Sequence, residues 1–124
     1  MSLDIQLLSQ VARGLAGQFG SNCEIVVHDL SKHNLESSIV VIENGQVSNR
    51  KIGDGPSHVV LEALKQDPAK VQDHIGYITK TSDGRILKSS TIYLRDEDQT
   101  INGILAINYD ITEMMMVGNA IQSR

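Results

Sequence analysis

The sequence predicts a single α+β domain in which helices pack on one antiparallel sheet. Apolar residues recur at helical spacing near both ends of the chain, whereas the stretches between are short, rich in β-branched residues and separated by turn signals. A chain of 124 residues is long enough to bury a hydrophobic core without disulfides or a metal. We therefore expect one domain over residues 1–124, with about five strands and three helices.

The N-terminal helix is predicted over residues 3–20, because apolar side chains recur there at steps of three to four and Gly20 follows as a left-handed stop. Its predicted apolar face consists of Leu7, Leu8, Val11, Leu15 and Phe19. The central part of the domain follows over residues 22–110. Its first strand is predicted over residues 23–30, where β-branched residues are dense.

A hairpin is predicted next. A polar loop leads from the first strand to a second strand over residues 38–42. Asn44 and Gly45 follow at once, and this dipeptide is the strongest short-range signal for a hairpin turn. We therefore expect a return strand over residues 46–50, ended by the glycines and the proline that follow it.

The second half of the central part is predicted to be one helix and then a meander. Residues 57–66 carry apolar side chains at helical spacing between two prolines. Three strands are then predicted over residues 75–79, 85–95 and 104–109. Because tight turns join them, these strands should form an antiparallel meander.

The C-terminal helix is predicted over residues 111–124. Asp110 precedes Glu113 by three residues, as in a capping box. The apolar residues that follow at mixed helical spacing are Met114, Met115, Val117 and Ile121. Two interpretations are open: a plain core helix, or a helix whose surplus apolar surface serves as a dimer seam or as a lever that transmits movement.

Charge and cysteine content exclude several classes of function. A net charge of −4 and a pI near 5.4 argue against direct binding of nucleic acid or anionic membrane, because both need clustered Lys and Arg. Cys23 is the only cysteine, which forbids an intramolecular disulfide and favours a reducing compartment. No apolar stretch reaches roughly 18 residues and no signal peptide is evident, so we expect a cytoplasmic protein without membrane contact.

His28 and Asp29 end the first predicted strand and are the first candidate site residues. Neighbouring side chains in a strand point to opposite faces, so these two do not pair with each other unless the strand ends or bulges there. The histidines of the chain match no zinc spacing and one cysteine is present, so we expect no metal. The alternative is that His28 is a hydrogen-bonded strand histidine and that Asp29 caps a loop.

Ser90 and Asn108 are candidates because they are polar residues within strands that are otherwise apolar. Alternation places Ser90 on one face of its strand, and Ser89 and Thr91 on the other. A buried hydroxyl costs about 1–3 kcal/mol unless it is hydrogen-bonded. A solvent-facing serine and a strand-end asparagine are the alternatives. A catalytic serine is not expected, because no Gly-x-Ser-x-Gly elbow is present.

Arg50 is a candidate for binding an anion. It lies close to Gly53 and Gly55, where a cation beside open backbone amides suits an anionic ligand. The glycines match neither a P-loop nor a dinucleotide fingerprint, so a solvated loop is the alternative.

Four segments carry a resemblance that covers about residues 7–113. They read, in order, "FGSNCEIVVHDL", "SSIVVIENGQVSNRKIGDG", "LKSSTIYLRDED" and "INGILAINYDIT". In this order and spacing they resemble the YheO-like PAS domain, the N-terminal sensory module of a family of bacterial transcriptional regulators. Asn44 matches the pattern by position and joins the candidate site residues. Asn49 and Ser57 depart from the pattern, which weakens the case for a ligand role of the glycine-rich loop.

The resemblance implies a PAS-like fold, with a five-stranded antiparallel sheet flanked by helices and a pocket between the two. It also implies a helix-turn-helix domain that binds DNA after the sensory module, and in some members a response to D-amino acids. We therefore expect this chain to lack its DNA-binding domain, which would account for its acidic charge.

These observations predict a non-enzymatic sensory domain that binds a small polar ligand, with an amino acid among the candidates, and that forms a homodimer. No cofactor is expected. His28, Asp29, Ser90 and Asn108 would meet across the sheet and line the pocket. The alternative is a dimerisation scaffold without a ligand. A nucleophile hydrogen-bonded to His28 would instead indicate an enzyme.

Overall fold

The computed structural model describes residues 3–31, 37–50, 52–53 and 55–122. The helices and strands are α1 (Ile5–Phe19), β1 (Cys23–Asp29), β2 (Ile39–Glu43), α2 (His58–Leu64), β3 (His74–Lys80), β4 (Ile86–Arg95), β5 (Ile101–Asp110) and α3 (Thr112–Gln122). Two short 3-10 turns lie at Gly45–Val47 and Pro68–Lys70. The predicted polar loop after β1 falls mostly on residues 32–36, outside the described residues.

The strands form one antiparallel sheet of five strands in the order β2-β1-β5-β4-β3. This confirms the predicted α+β class and the predicted meander of β3, β4 and β5. β1 lies between β2 and β5, and all of its residues are buried. A strand that is covered on both faces needs apolar residues at nearly every position, which the run Ile25, Val26 and Val27 supplies.

α1 packs on one face of the sheet, against β1 and β2. Ala12 and Ala16 are its buried residues, and both belong to one cluster with Cys23, Ile25 and Val27 of β1. Small side chains let a helix approach a sheet closely, so the buried stripe is centred on the alanines. The predicted apolar face is therefore partly wrong: Leu8 and Leu15 pack on the cluster, but Leu7, Val11 and Phe19 are 54%, 40% and 50% exposed.

The predicted hairpin after β2 is also wrong. Asn44 adopts a left-handed conformation with φ of 57°, and the chain then forms the 3-10 turn Gly45–Val47 instead of a return strand over residues 46–50. The Asn44 side-chain amide donates to the carbonyls of Cys23 at 2.9 Å and Gly20 at 3.1 Å, which holds the turn against the start of β1. β2 is therefore an edge strand, and the segment after it crosses to the other face of the sheet.

The remaining elements lie close to their predicted places. α2 begins after Ser57, whose hydroxyl accepts a hydrogen bond from the Val60 amide, and it ends before the predicted residue 66. β5 begins three residues earlier than predicted, at Ile101. The Asp110 carboxylate caps the start of α3 by accepting hydrogen bonds from the amide and the hydroxyl of Thr112. In the predicted capping box it would instead accept from the amide of Glu113.

A second, smaller apolar cluster covers part of the opposite sheet face. Its buried members are Val60 of α2, Val71, Tyr93 of β4 and Ile104 of β5. It covers only part of that face, and the space beside it forms a cavity.

Candidate functional site

A cavity of about 480 Å³ lies against the sheet face opposite α1. Its floor comes from alternate residues of β4 and β5, whereas the residues between them point to the other face. Its wall comes from Ser48, Arg50, Ser57 and Val60, which follow the 3-10 turn after β2. The volume lies within the range of about 300–1,000 Å³ that small-molecule sites occupy.

A chain of buried polar side chains runs beneath one part of this floor. The carboxylate of Glu24 on β1 is completely buried. Its Oε2 accepts from the amide and the hydroxyl of Ser48, at 3.1 and 2.5 Å, and its Oε1 accepts from Nδ2 of Asn108 at 2.8 Å. Oδ1 of Asn108 accepts from the Ser89 hydroxyl at 2.7 Å, and that hydroxyl lies 3.4 Å from Oγ1 of Thr79. The network joins four strands and the cavity wall.

Glu24 determines how this network is oriented. A carboxylate only accepts hydrogen bonds, so the Asn108 amide must turn its NH₂ group toward Glu24 and its oxygen toward Ser89. A buried charge is tolerated only when it is hydrogen-bonded, and here three donors satisfy it. The network therefore fixes both the amide of Asn108 and the position of Ser48 at the cavity.

His28 lies on the same face of β1 as Glu24, four residues further along the strand. It is 2% exposed, lines the cavity, and its Nδ1 lies 2.8 Å from the Ser38 hydroxyl. Burial, reinforced by the positive charge of Arg50, lowers the pKa of His28 from 6.5 to about 4. The imidazole is therefore neutral at physiological pH and can act as a hydrogen-bond donor or acceptor.

Arg50 lies in the cavity wall, in a segment that is held in place by close backbone packing. A Cβ atom on Gly45 would lie 2.6 Å from the Arg50 carbonyl oxygen, so only glycine leaves room for the chain to fold back there. Within the described part of the chain, the ion pairs involve Lys65 and Arg85, and none involves Arg50. Its guanidinium group is therefore available to a ligand.

Hydroxyls and aromatic rings from β3 and β4 line the other end of the cavity. The Tyr77 hydroxyl lies 3.0 Å from Oγ1 of Thr91, and the Tyr77 ring stacks on His74 with centroids 4.0 Å apart. Tyr93 is buried beside them, and burial raises the pKa of its phenol, with Tyr77 and Asp73 adding to the effect. The hydroxyl groups at this end can donate and accept hydrogen bonds.

The structure brings three of the six predicted site residues together at the cavity: His28, Arg50 and Asn108. It places the other three elsewhere. Asp29 accepts from the amide and hydroxyl of Ser31 and so caps a loop, as the alternative interpretation had it. Asn44 is occupied with backbone carbonyls on the other side of the turn.

Ser90 lies on the face away from the cavity and accepts a hydrogen bond from the Gly76 amide at 3.0 Å. The predicted meeting of four side chains across the sheet is therefore wrong. Ser89, which pairs with Asn108 in the β4–β5 register, lies where Ser90 was expected.

Three important residues were missed by sequence reasoning: Glu24, Ser48 and Tyr77. Glu24 shares the strand parity of His28, so a charged residue at that position of an apolar strand was a usable signal. Ser48 and Tyr77 carried no such signal, because their places depend on the turn after β2 and on the bulge in β3.

Metal binding and membrane insertion find no support in the described residues. No group of three or more His, Cys, Asp or Glu side chains is arranged there to hold a metal ion. Of the helices in residues 3–31 and 55–122, none combines the length and the apolar character needed to cross a bilayer.

Comparison with known proteins places this arrangement in a family. A family model described as the YheO-like PAS domain matches residues 2–124. The uncharacterised protein YheO of Escherichia coli (strain K12) is 36% identical over 103 residues, which are 82% of this chain and 42% of YheO. An uncharacterised protein of Haemophilus influenzae is 33% identical over 101 residues, which are 82% of this chain and 44% of that protein. The match thus takes in less than half the length of these relatives.

A solved structure supports the same fold. The chain aligns over 98% of its length, with a TM-score of 0.51 and 12% identity, to 37% of a chain titled an RNA-binding Light-Oxygen-Voltage receptor. At this identity the likeness concerns the fold alone, which is a five-stranded antiparallel sheet with helices.

Proposed function

Because this chain belongs to the YheO-like PAS domain family, a sensory and regulatory domain type, we propose that it is the ligand-sensing domain of a bacterial transcriptional regulator. A small polar molecule binds in the cavity, and the domain passes the signal to a helix-turn-helix domain outside this chain. The observation that carries this proposal is the 480 Å³ cavity with convergent polar groups from four strands.

The route from the cavity to α3 is short. Asn108 lines the cavity on β5, and the same strand ends at Asp110, which caps the start of α3. The Thr112 hydroxyl accepts from the Ile86 amide of β4 at 2.9 Å, so α3 begins on the two strands that form the cavity floor. A ligand that shifts these strands can thus change the position of α3 relative to the sheet.

Nucleophilic catalysis by His28 and Ser38 does not fit this geometry. The two side chains are hydrogen-bonded, but Ser38 is completely buried and is not among the residues that line the cavity. Its hydroxyl has no access to a substrate, so the pair orients the imidazole and does not form an attacking group.

Dimerisation is the second candidate function, and the apolar surface of α3 favours it. Met114, Met115, Met116 and Val117 are between 45% and 65% exposed. Adjacent exposed apolar side chains on one helix are typical of an interaction surface. Dimerisation is compatible with sensing, and as the only function it would leave the cavity without a role.

A thermal-shift screen of the purified domain tests the sensing proposal. The panel comprises D- and L-amino acids, hydroxy acids, dicarboxylates and neutral amides. A compound at about 100 times its Kd should raise Tm by on the order of 10 °C.

The variant Ala106→Phe fills the cavity from its floor, and Ala69→Phe makes the same exchange at an exposed site. The shift should be lost in the first variant and kept in the second. No shift from any class of compound, or a shift unaffected by Ala106→Phe, would contradict the proposal.

A further inference from the structure

We infer that the ligand of this cavity is a small carboxylate and that Arg50 binds its carboxylate group. The other polar groups of the ligand are hydroxyl or carboxylate groups and not ammonium groups. The inference rests on the proposed sensing function and narrows its ligand. It starts from the charge of the cavity wall. Arg50 and Lys80 line the cavity, whereas the chain as a whole carries a net charge of −4. No carboxylate is among the described residues that line it.

Arg50 lines the cavity, and no ion pair joins it to another residue in the described part of the chain. The arginines at the two ends of β4 are occupied: Arg85, just before the strand, pairs with Asp83 and Asp110, and Arg95, its last residue, donates to three backbone carbonyls. A guanidinium group matches the two oxygens of a carboxylate with parallel hydrogen bonds. A half-buried guanidinium group without a described ion-pair partner therefore favours binding of a carboxylate over binding of a neutral or cationic group.

The Arg50 segment is held in position before any ligand arrives. Two residues earlier in the chain, Ser48 is bound to the buried Glu24 through both its amide and its hydroxyl. The Arg50 carbonyl packs against Gly45 on the other side. Preorganisation of this kind reduces the entropy that binding would otherwise cost.

Glu24 does not offset this charge preference at the cavity surface. Its side chain is completely buried, and the hydrogen bonds from Ser48 and Asn108 are directed at its oxygens. Among the described lining residues, a ligand ammonium therefore meets hydroxyl oxygens but no exposed carboxylate. It would lose hydration without gaining a charged partner, which disfavours amino acids and, most strongly, basic ones.

The other end of the cavity suits hydroxyl or carboxylate groups. The hydroxyls of Thr79 and Thr91 can donate or accept, whereas Ser89 donates its proton to Asn108 and offers a ligand only its oxygen. Lys80 and His74 add donors at the same end, and neither repels an anion. A hydroxy acid or a dicarboxylate can thus satisfy both ends at once.

Isothermal titration with four matched probes tests this inference: succinate, malate, aspartate and succinamide. Tyrosine fluorescence gives a second readout, because Tyr77 and Tyr93 line the cavity and the chain contains no tryptophan. Succinate or malate should bind more tightly than aspartate, and succinamide should bind weakest. Arg50→Gln should weaken binding roughly tenfold or more, whereas Arg13→Gln, which removes a guanidinium on exposed α1, should change it less than about twofold.

The outcomes separate this inference from the function on which it rests. Binding of aspartate or of succinamide that is tighter than that of succinate and malate would overturn the carboxylate assignment and leave sensing intact. Carboxylate binding that survives Arg50→Gln would overturn the role of Arg50. If no compound of any class binds and Ala106→Phe alters nothing, both the inference and the proposed function fall.

Discussion

Lowering the pH from 7.5 to 4 should destabilise this domain through His28. In the folded protein, burial and the charge of Arg50 lower the pKa of His28 to about 4, whereas its ordinary value, expected in the unfolded chain, is 6.5. Between these values the unfolded chain binds a proton at His28 and the folded chain does not, so stability rises with pH across this window. The full difference corresponds to about 3 kcal/mol, of which about 2 kcal/mol should be lost by pH 5.

Urea unfolding of the wild-type chain and of His28→Asn at several pH values isolates this effect. Asparagine keeps a hydrogen-bonding group toward Ser38 but does not titrate. The stability of the wild type should fall more steeply than that of the variant between pH 6.5 and 4. Removing the charge in Arg50→Gln should raise the pKa of His28 only in part, because burial is the larger cause. Equal pH slopes in wild type and His28→Asn would refute the reasoning.

Three further predictions concern the network, the turn and α3. Glu24→Ala leaves three buried donors without an acceptor and should lower the free energy of unfolding in urea by about 2–4 kcal/mol. The control Glu113→Ala, at an exposed position of α3, should lower it little. Similar losses in the two variants would contradict the structural role of Glu24. Gly45→Ala brings a Cβ to 2.6 Å from the Arg50 carbonyl oxygen and should destabilise the fold by about 1–3 kcal/mol. The control Gly17→Ala lies in open space within α1 and should stabilise the fold by about 0.5–1 kcal/mol. A Gly45→Ala variant more stable than Gly17→Ala would rule out this account of the turn. Met115→Glu should lower the mass measured by light scattering if α3 forms a dimer seam, and an unchanged dimer would exclude that surface.

Local chemistry predicted most of the strands and helices. The β-branched run of β1, the alternation in β4 and β5 and the turns between the last three strands are short-range signals, and the structure follows them. The hairpin after Asn44 failed because a left-handed asparagine also suits a turn whose side chain reaches another part of the chain. A tertiary contact of the amide with Cys23 outweighed the local preference for a hairpin.

The candidate site was predicted only in part, for a related reason. Alternation showed that Ser89 and Ser90 face opposite sides of β4, but it could not tell which side is open. α1 covers β1 and β2 on one face, and Ser48, Arg50, Ser57 and Val60 line the cavity on the other, which makes Ser89 the cavity residue. Asp29 had two local explanations, and the structure shows the loop cap.

The sequence by itself determined the α+β class, the order of the helices and strands apart from the return strand expected after Asn44, and the alternation that separates Ser89 from Ser90 in β4. Each of these depends on periodicity or on turn chemistry within a few residues. Only the tertiary structure decided that Asn108 meets Glu24, 84 residues away in the chain, and that Arg50 lines the same cavity without an ion pair to any other described residue. Such contacts depend on strand order and on the path of one turn, and neither leaves a local pattern in the chain.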